Sequence, residues 1–162
     1  MRSYSAPILS RSDLGSFVAQ ARGKGSLIIL ANGCFDLLHA GHIRYLESAK
    51  MLGGTLLVAV NSDSQVRELK GNSRPITSEN ERAEIIAALR CVDAVTIFSE
   101  PTVEEIIHIV RPDIHAKGTD YTTDSVPERE IVAKYGGKVA IVGDPKDHSS
   151  SEILASLRQS QS

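Results

Sequence analysis

Apolar runs and amphipathic stretches alternate along the whole chain. Five short runs, at 27–31, 55–60, 92–98, 114–116 and 139–142, are mostly apolar. Runs of this length without a polar face predict strands buried on both sides, as in a parallel sheet. The stretches between them carry a helical period. Leu14, Phe17, Val18 and Ala21 follow a Ser12-Asp13 cap and end at Gly23 and Gly25. Ile43, Leu46, Ala49 and Leu52 share one face of a helix over 43–52, which Gly53-Gly54 stops. Ser78, with Glu81 three residues on, has the spacing of a capping box and opens a helix carrying Ala83, Ile86 and Ala87. Helical pieces are predicted at 64–69, 103–110 and 127–135, and a last amphipathic helix holds Ile153, Leu154 and Leu157.

Strands alternating with helices predict an α/β architecture, a parallel sheet covered on both faces and joined by right-handed crossovers. No repeat, low-complexity segment or long linker divides the chain. Residues 1–162 are therefore expected to form one domain, with 1–10 a loose leader and 159–162 a frayed tail.

Composition narrows the class. With 162 residues and 41% hydrophobic content, a packed core is within reach. Eighteen Lys+Arg against twenty Asp+Glu leave a net charge of −2, which argues against a nucleic-acid coat but permits a local basic pocket. There is no apolar run of membrane-spanning length and no signal-peptide pattern at the start. Cys34 and Cys91 lie far apart without metal-type spacing. A cytoplasmic protein with reduced thiols is expected, with no membrane or nucleic-acid partner.

Ligands of open parallel sheets bind beyond the carboxyl ends of the strands. The first strand delivers Asn32, Gly33, Cys34, Phe35, Asp36, His39, Gly41 and His42 to that edge. The second delivers Asn61 and Asp63, with Lys70 and Arg74 soon after; the fourth delivers Lys117, Gly118, Asp120 and Tyr121; the fifth is followed by His148, Ser149, Ser150 and Ser151. Each group has a plainer reading, as a turn glycine, a solvated loop charge or a helix cap. Two histidines three apart, flanking a glycine where a strand hands over to a helix, are harder to set aside, because that place collects anions. A zinc reading is weak: beside His39 and His42 only Asp36 is near, and further ligands are missing. His108 and His115 read as incidental, and Cys34 and Cys91 as packing residues. Cations, hydroxyls and helix termini together suit a polyphosphate and the charge that moves during attack on phosphorus. Neither a P-loop nor a Gly-x-Gly-x-x-Gly turn is present.

The stretch 33–42, Gly-Cys-Phe-Asp-Leu-Leu-His-Ala-Gly-His, resembles the Gly-x-Phe-Asp-x-x-His-x-Gly-His signature of the cytidylyltransferase-like nucleotidyltransferases. The likeness continues through Asn61-Ser62-Asp63, Lys70-Gly71, Arg74-Pro75, Glu81-Arg82, Val92-Asp93, Pro112-Asp113 and Lys117-Gly118-Thr119-Asp120-Tyr121. This fuller set is similar to the heptose adenylyltransferase branch, found as one half of bifunctional kinase/adenylyltransferases and as stand-alone proteins. The resemblance implies a Rossmann-like three-layer fold with a mostly parallel five-stranded sheet. It implies the reaction of ATP with D-glycero-D-manno-heptose 1-phosphate to ADP-heptose and pyrophosphate, with Mg²⁺ held mainly by the triphosphate and no protein metal site. The alternative it leaves open is a cytidylyltransferase using CTP and glycerol 3-phosphate or another phosphorylated or phosphonate alcohol. A homodimer is common in the superfamily.

By match to the motifs, His39, His42 and Lys70 would be catalytic. Asn32, Gly33, Cys34, Phe35, Gly41, Lys117 and Gly118 would surround the nucleotide with the histidines, and Ser149, Ser150 and Ser151 would meet its triphosphate. Asp36, Asn61, Asp63, Lys70, Arg74, Asp120 and Tyr121 would face the acceptor. Two departures stand out: Thr119 replaces a second glycine, and Ser150 and Ser151 replace threonines while keeping the hydroxyls.

Overall fold

The computed structural model describes residues 4–145 and 149–159. In chain order the elements are β1 (Ile8–Leu9), α1 (Leu14–Gly23), β2 (Ile28–Gly33), α2 (Ala40–Lys50), β3 (Thr55–Asn61), α3 (Asp63–Lys70) and α4 (Glu79–Ala87). Then follow β4 (Ala94–Phe98), α5 (Glu104–Val110), β5 (Ile114–Lys117), α6 (Arg129–Lys134), β6 (Lys138–Ile141) and α7 (Ser150–Gln159). All strand pairings are parallel, in the order β1-β4-β3-β2-β5-β6.

The described residues thus hold six strands where the apolar runs predicted five. The sixth comes from the expected leader. Ile8 and Leu9 lie beside Val95 and Thr96, the Val95 N–H donates to the Pro7 carbonyl (2.9 Å), and the Thr96 hydroxyl donates to the Leu9 carbonyl (3.1 Å). Two residues carry no periodicity of their own, and only the distant β4 gives them a partner. At the other end, α7 extends through Gln159, into the stretch expected to fray.

The strands alternate between two cores, as period-two geometry requires. Ile28, Leu30, Leu57 and Ala59 face one way, against Leu14 and Val18 of α1, Ile106 and Ile107 of α5, and Val132 of α6. Ile29, Ala31, Leu56, Val58 and Val60 face the other way, against Leu46 and Ala49 of α2 and Ala83 and Ile86 of α4. The sheet is therefore covered on both sides, which is why its strands read as unbroken apolar runs. Two aspartates pin the amino ends of the strands. Asp113 accepts the Ile28 N–H (2.7 Å) and Asp93 accepts the Leu56 N–H (2.6 Å), giving both a structural role. Gly54 lets β3 start beside β2, since a Cβ there would lie 2.5 Å from the Leu27 carbonyl oxygen.

The topology positions the site. The chain runs outward from β2 to β3 and β4, then crosses back to place β5 on the other side of β2. The carboxyl ends of β2 and β5 therefore flank a switch point, where open α/β sheets bind ligands.

Candidate active site

Leaving β2, the chain makes a tight loop in which two non-glycine residues adopt left-handed backbone, Phe35 (φ 51°) and Leu37 (φ 54°). Each costs on the order of 1–2 kcal/mol and persists only where surroundings enforce it. Asp36 supplies the enforcement. Its buried carboxylate accepts from Arg74 Nε (2.5 Å), the Ile76 N–H (3.0 Å), the Thr77 N–H (3.2 Å) and the Thr77 hydroxyl (3.3 Å). Burial alone would raise the Asp36 pKa, but these donors outweigh it and hold the carboxyl below its ordinary range. Arg82, also buried, donates to the carbonyls of Cys34 (2.6 Å), Asn61 (2.7 Å) and Thr77 (3.1 Å) and to Asp63 Oδ1 (2.7 Å). It ties the ends of β2 and β3 together. Gly33 leaves room for Phe35, whose ring would lie 3.2 Å from a Cβ at that position.

The histidines close the amino end of α2 reciprocally. The Gly41 N–H donates to His39 Nδ1 (3.2 Å) and the His39 N–H donates to His42 Nδ1 (3.3 Å). Their rings stack at 3.9 Å, and Phe35 meets His42 edge-on at 5.5 Å. With Nδ1 accepting in both, the neutral rings carry their proton on Nε2 and can donate it to an anion. Across the switch point the Tyr45 hydroxyl donates to the Ala116 carbonyl (2.7 Å), linking α2 to β5, and burial pushes its pKa well up.

Lys117, at the end of β5, is buried. Its Nζ donates to Asn32 Oδ1 (3.2 Å) and lies 4.7 Å from the centre of the Tyr121 ring. At the start of α7 the Ser149 N–H donates to Glu152 Oε2 (2.7 Å) and the Glu152 N–H donates to Ser149 Oγ (3.2 Å), a reciprocal cap. Ser150 Oγ accepts from Arg74 Nη2 (3.0 Å).

These parts enclose a cleft of about 700 Å³. Most of the residues singled out in the sequence line it. Asn32, Gly33, Cys34 and Phe35 come from β2 and its loop, and His39, Gly41 and His42 from the start of α2. Asn61 comes from β3, Lys70 from the end of α3, Lys117, Gly118, Asp120 and Tyr121 from β5 and its loop, and Ser149, Ser150 and Ser151 from α7. Three others stand outside the wall. Asp36 and Arg74 are buried against each other, and Asp63 is held by Arg82. His148 lies outside the described residues.

Some participants carried a faint signal and others none. Tyr45 follows His42 by three, so it shares that helical face. Arg82 stands on the same side of its helix as Ile86, a charge in an apolar stripe. Glu128 and His115 had no pattern to betray them, yet both are buried behind Lys117.

Against protein families, residues 30–156 match the cytidylyltransferase-like family model. The chain belongs to the cytidylyltransferase-like family. It is 44% identical over 157 residues to the D-beta-D-heptose 1-phosphate adenylyltransferase of Bordetella bronchiseptica, with 96% of each chain covered. It is 44% identical over 151 residues to the bifunctional protein HldE of Syntrophotalea carbinolica, but spans only 31% of that protein's length. Among solved structures, a lipopolysaccharide core biosynthesis protein from Thermoplasma volcanium superposes with a TM-score of 0.65 at 34% identity, covering 75% of this chain and 100% of that one. A pantoate-beta-alanine ligase from Francisella tularensis shares the fold at a TM-score of 0.61 and 16% identity, covering 95% of this chain and 77% of that one.

Proposed function

We propose that this cytidylyltransferase-like protein is an adenylyltransferase that joins ATP to a heptose 1-phosphate, giving ADP-heptose and pyrophosphate. The near full-length likeness to a protein named for that reaction supports the substrates. The observation that carries the chemistry is the pair His39 and His42, fixed by α2 at the switch point with both Nδ1 atoms occupied.

The acceptor phosphate is already an anion, so its attack on the α-phosphorus needs no strong base. A phosphate oxygen forms the new bond as the bond to the bridging oxygen of the β-phosphate breaks, and pyrophosphate leaves with that electron pair. What the reaction needs is two mutually repelling anions held in line and stabilisation of the charge that builds on the equatorial oxygens. His39 and His42 donate from Nε2, Lys117 supplies a buried positive charge beside Asn32, and the α2 and α7 termini face the same cleft. Lys70, exposed on the rim and without an ion pair among the described residues, would meet the acceptor or the leaving phosphates. The cleft fits Mg²⁺ arriving on the triphosphate, because its donors are mainly cations and hydroxyls and its carboxylates are those of Asp120 and Asp144. The ion supplies charge neutralisation when bound. Among the described residues no helix is long and apolar enough to cross a membrane.

The test is a pyrophosphate-release screen crossing ATP and CTP with heptose 1-phosphates, other sugar 1-phosphates and glycerol 3-phosphate. ATP with a heptose 1-phosphate is expected to give the highest kcat/KM. Use of CTP with an alcohol phosphate and refusal of ATP would overturn the assignment.

A further inference from the structure

Behind Lys117 lies a row of charged and ionisable groups that the chemistry above does not use. Glu128, at the start of α6, places Oε2 3.8 Å from Lys117 Nζ and 3.6 Å from His115 Nε2. All three residues are buried: His115 is 0% exposed, and Lys117 and Glu128 are 6% exposed. Both contacts are longer than a hydrogen bond, so Glu128 Oε2 and the ring nitrogens of His115 have electrostatic neighbours but no hydrogen bond of normal geometry among the described residues. Buried polar atoms without a full hydrogen bond are rare enough to need an explanation. Asp36, on the other side of the cleft, has every such demand met.

The charges are consistent with one another. Burial alone would raise the Glu128 pKa, but His115 and Lys117 hold it below its ordinary range. Burial lowers the pKa of His115, which leaves its ring neutral. The same burial lowers that of Lys117, against the opposing pull of Glu128.

We infer that Glu128 is a positioning residue for nucleotide binding: it holds the Lys117 ammonium at the cleft, with His115 as its second partner. The spacing suits this role. At 3.8 Å the carboxylate attracts the ammonium without consuming one of its hydrogens. Asn32 takes one, and the others remain to donate to a phosphate. When a triphosphate draws Lys117 forward, Glu128 keeps a donor within reach, because a small movement closes the 3.6 Å gap to the His115 ring. The inference rests on reading this cleft as the nucleotide site.

The experiment is a double-mutant cycle on the full chain, with Lys117→Met, Glu128→Gln and both together, read as ATP affinity by calorimetry and as KM and kcat. If Glu128 works through Lys117, each single change weakens ATP binding by about tenfold, the size of one lost charge-assisted contact, and the double variant is no weaker than Lys117→Met. The KM for ATP rises in both variants, kcat falls as well in Lys117→Met, and neither change is larger in Glu128→Gln than in Lys117→Met. Glu128→Asp, which keeps the charge, recovers most of the loss and serves if Glu128→Gln does not fold. The His115 imidazole ¹⁵N signals shift on saturation with ATP in the parent protein and not in Glu128→Gln. Additive losses, parent-like ATP binding in Glu128→Gln, or equal losses in the Asp and Gln variants would overturn the inference. Parent-like binding in Lys117→Met, with pyrophosphate still released, would overturn it while leaving the site reading intact. Failure of the parent chain to bind any nucleotide would remove both.

Discussion

Asp36 and Glu128 are both buried carboxylates facing a cation beside one cleft, and they are built in opposite ways. Asp36 meets Arg74 at 2.5 Å and takes further hydrogen bonds from Ile76 and Thr77. Glu128 meets Lys117 at 3.8 Å and His115 at 3.6 Å, with no hydrogen bond to Oε2 among the described residues. The first arrangement can hold only one geometry, and it holds the loop whose backbone is strained at Phe35 and Leu37. The second leaves slack at a buried cation that a ligand would pull. A binding site of this kind needs both: a frame that does not move and a charge that can.

Isosteric neutralisation should break the comparison unequally. Asp36→Asn leaves Arg74 buried beside an amide and is expected to cost about 3–5 kcal/mol in urea unfolding, with loss of turnover as the loop relaxes. Glu128→Gln also leaves a cation without its carboxylate, but Lys117 opens on the cleft and the contact is 3.8 Å long, so a smaller cost of about 1–2 kcal/mol is expected. Equal costs would mean that the slack at Glu128 is not there.

Acid should sharpen the contrast. The Asp36 pKa is depressed in the folded state, so its contribution is complete above the ordinary carboxylate range and is lost as pH falls through the folded-state value. The parent protein should therefore lose stability on acidification below about pH 4 more steeply than Asp36→Asn. Parallel curves of urea midpoint against pH would detach Asp36 from the acid response. The smallest effect is expected at Ser149, whose side chain caps α7. Ser149→Ala should cost about 1 kcal/mol at most in overall stability and weaken ATP binding several-fold. Unchanged affinity would reduce that serine to a cap.

The same contrast explains what could be read in the sequence. The doubly covered sheet was legible because its central strands are apolar on both faces over 28–31 and 56–60. The 33–42 motif was legible because strand, turn, glycine and histidines are contiguous. Ile8 and Leu9 were not, since a two-residue edge strand exists only through β4. The motif match assigns Asp36 and Arg74 to the acceptor's side but does not disclose that the two meet each other across 38 positions of chain. Sequence spacing carries no sign of which charged groups will pair. Glu128 and His115 were silent for the same reason: they come together only because the turn that opens α6 returns beside β5.

The most direct measurement is the turnover number of His42→Ala and of His39→Asn, the latter chosen because asparagine can still cap α2. Both should retain the parent circular dichroism spectrum and bind ATP, while kcat for pyrophosphate release falls by about 10²–10³. Near-parent kcat in both variants would contradict the account, because the two rings would then be structural caps and the charge on phosphorus would be stabilised elsewhere.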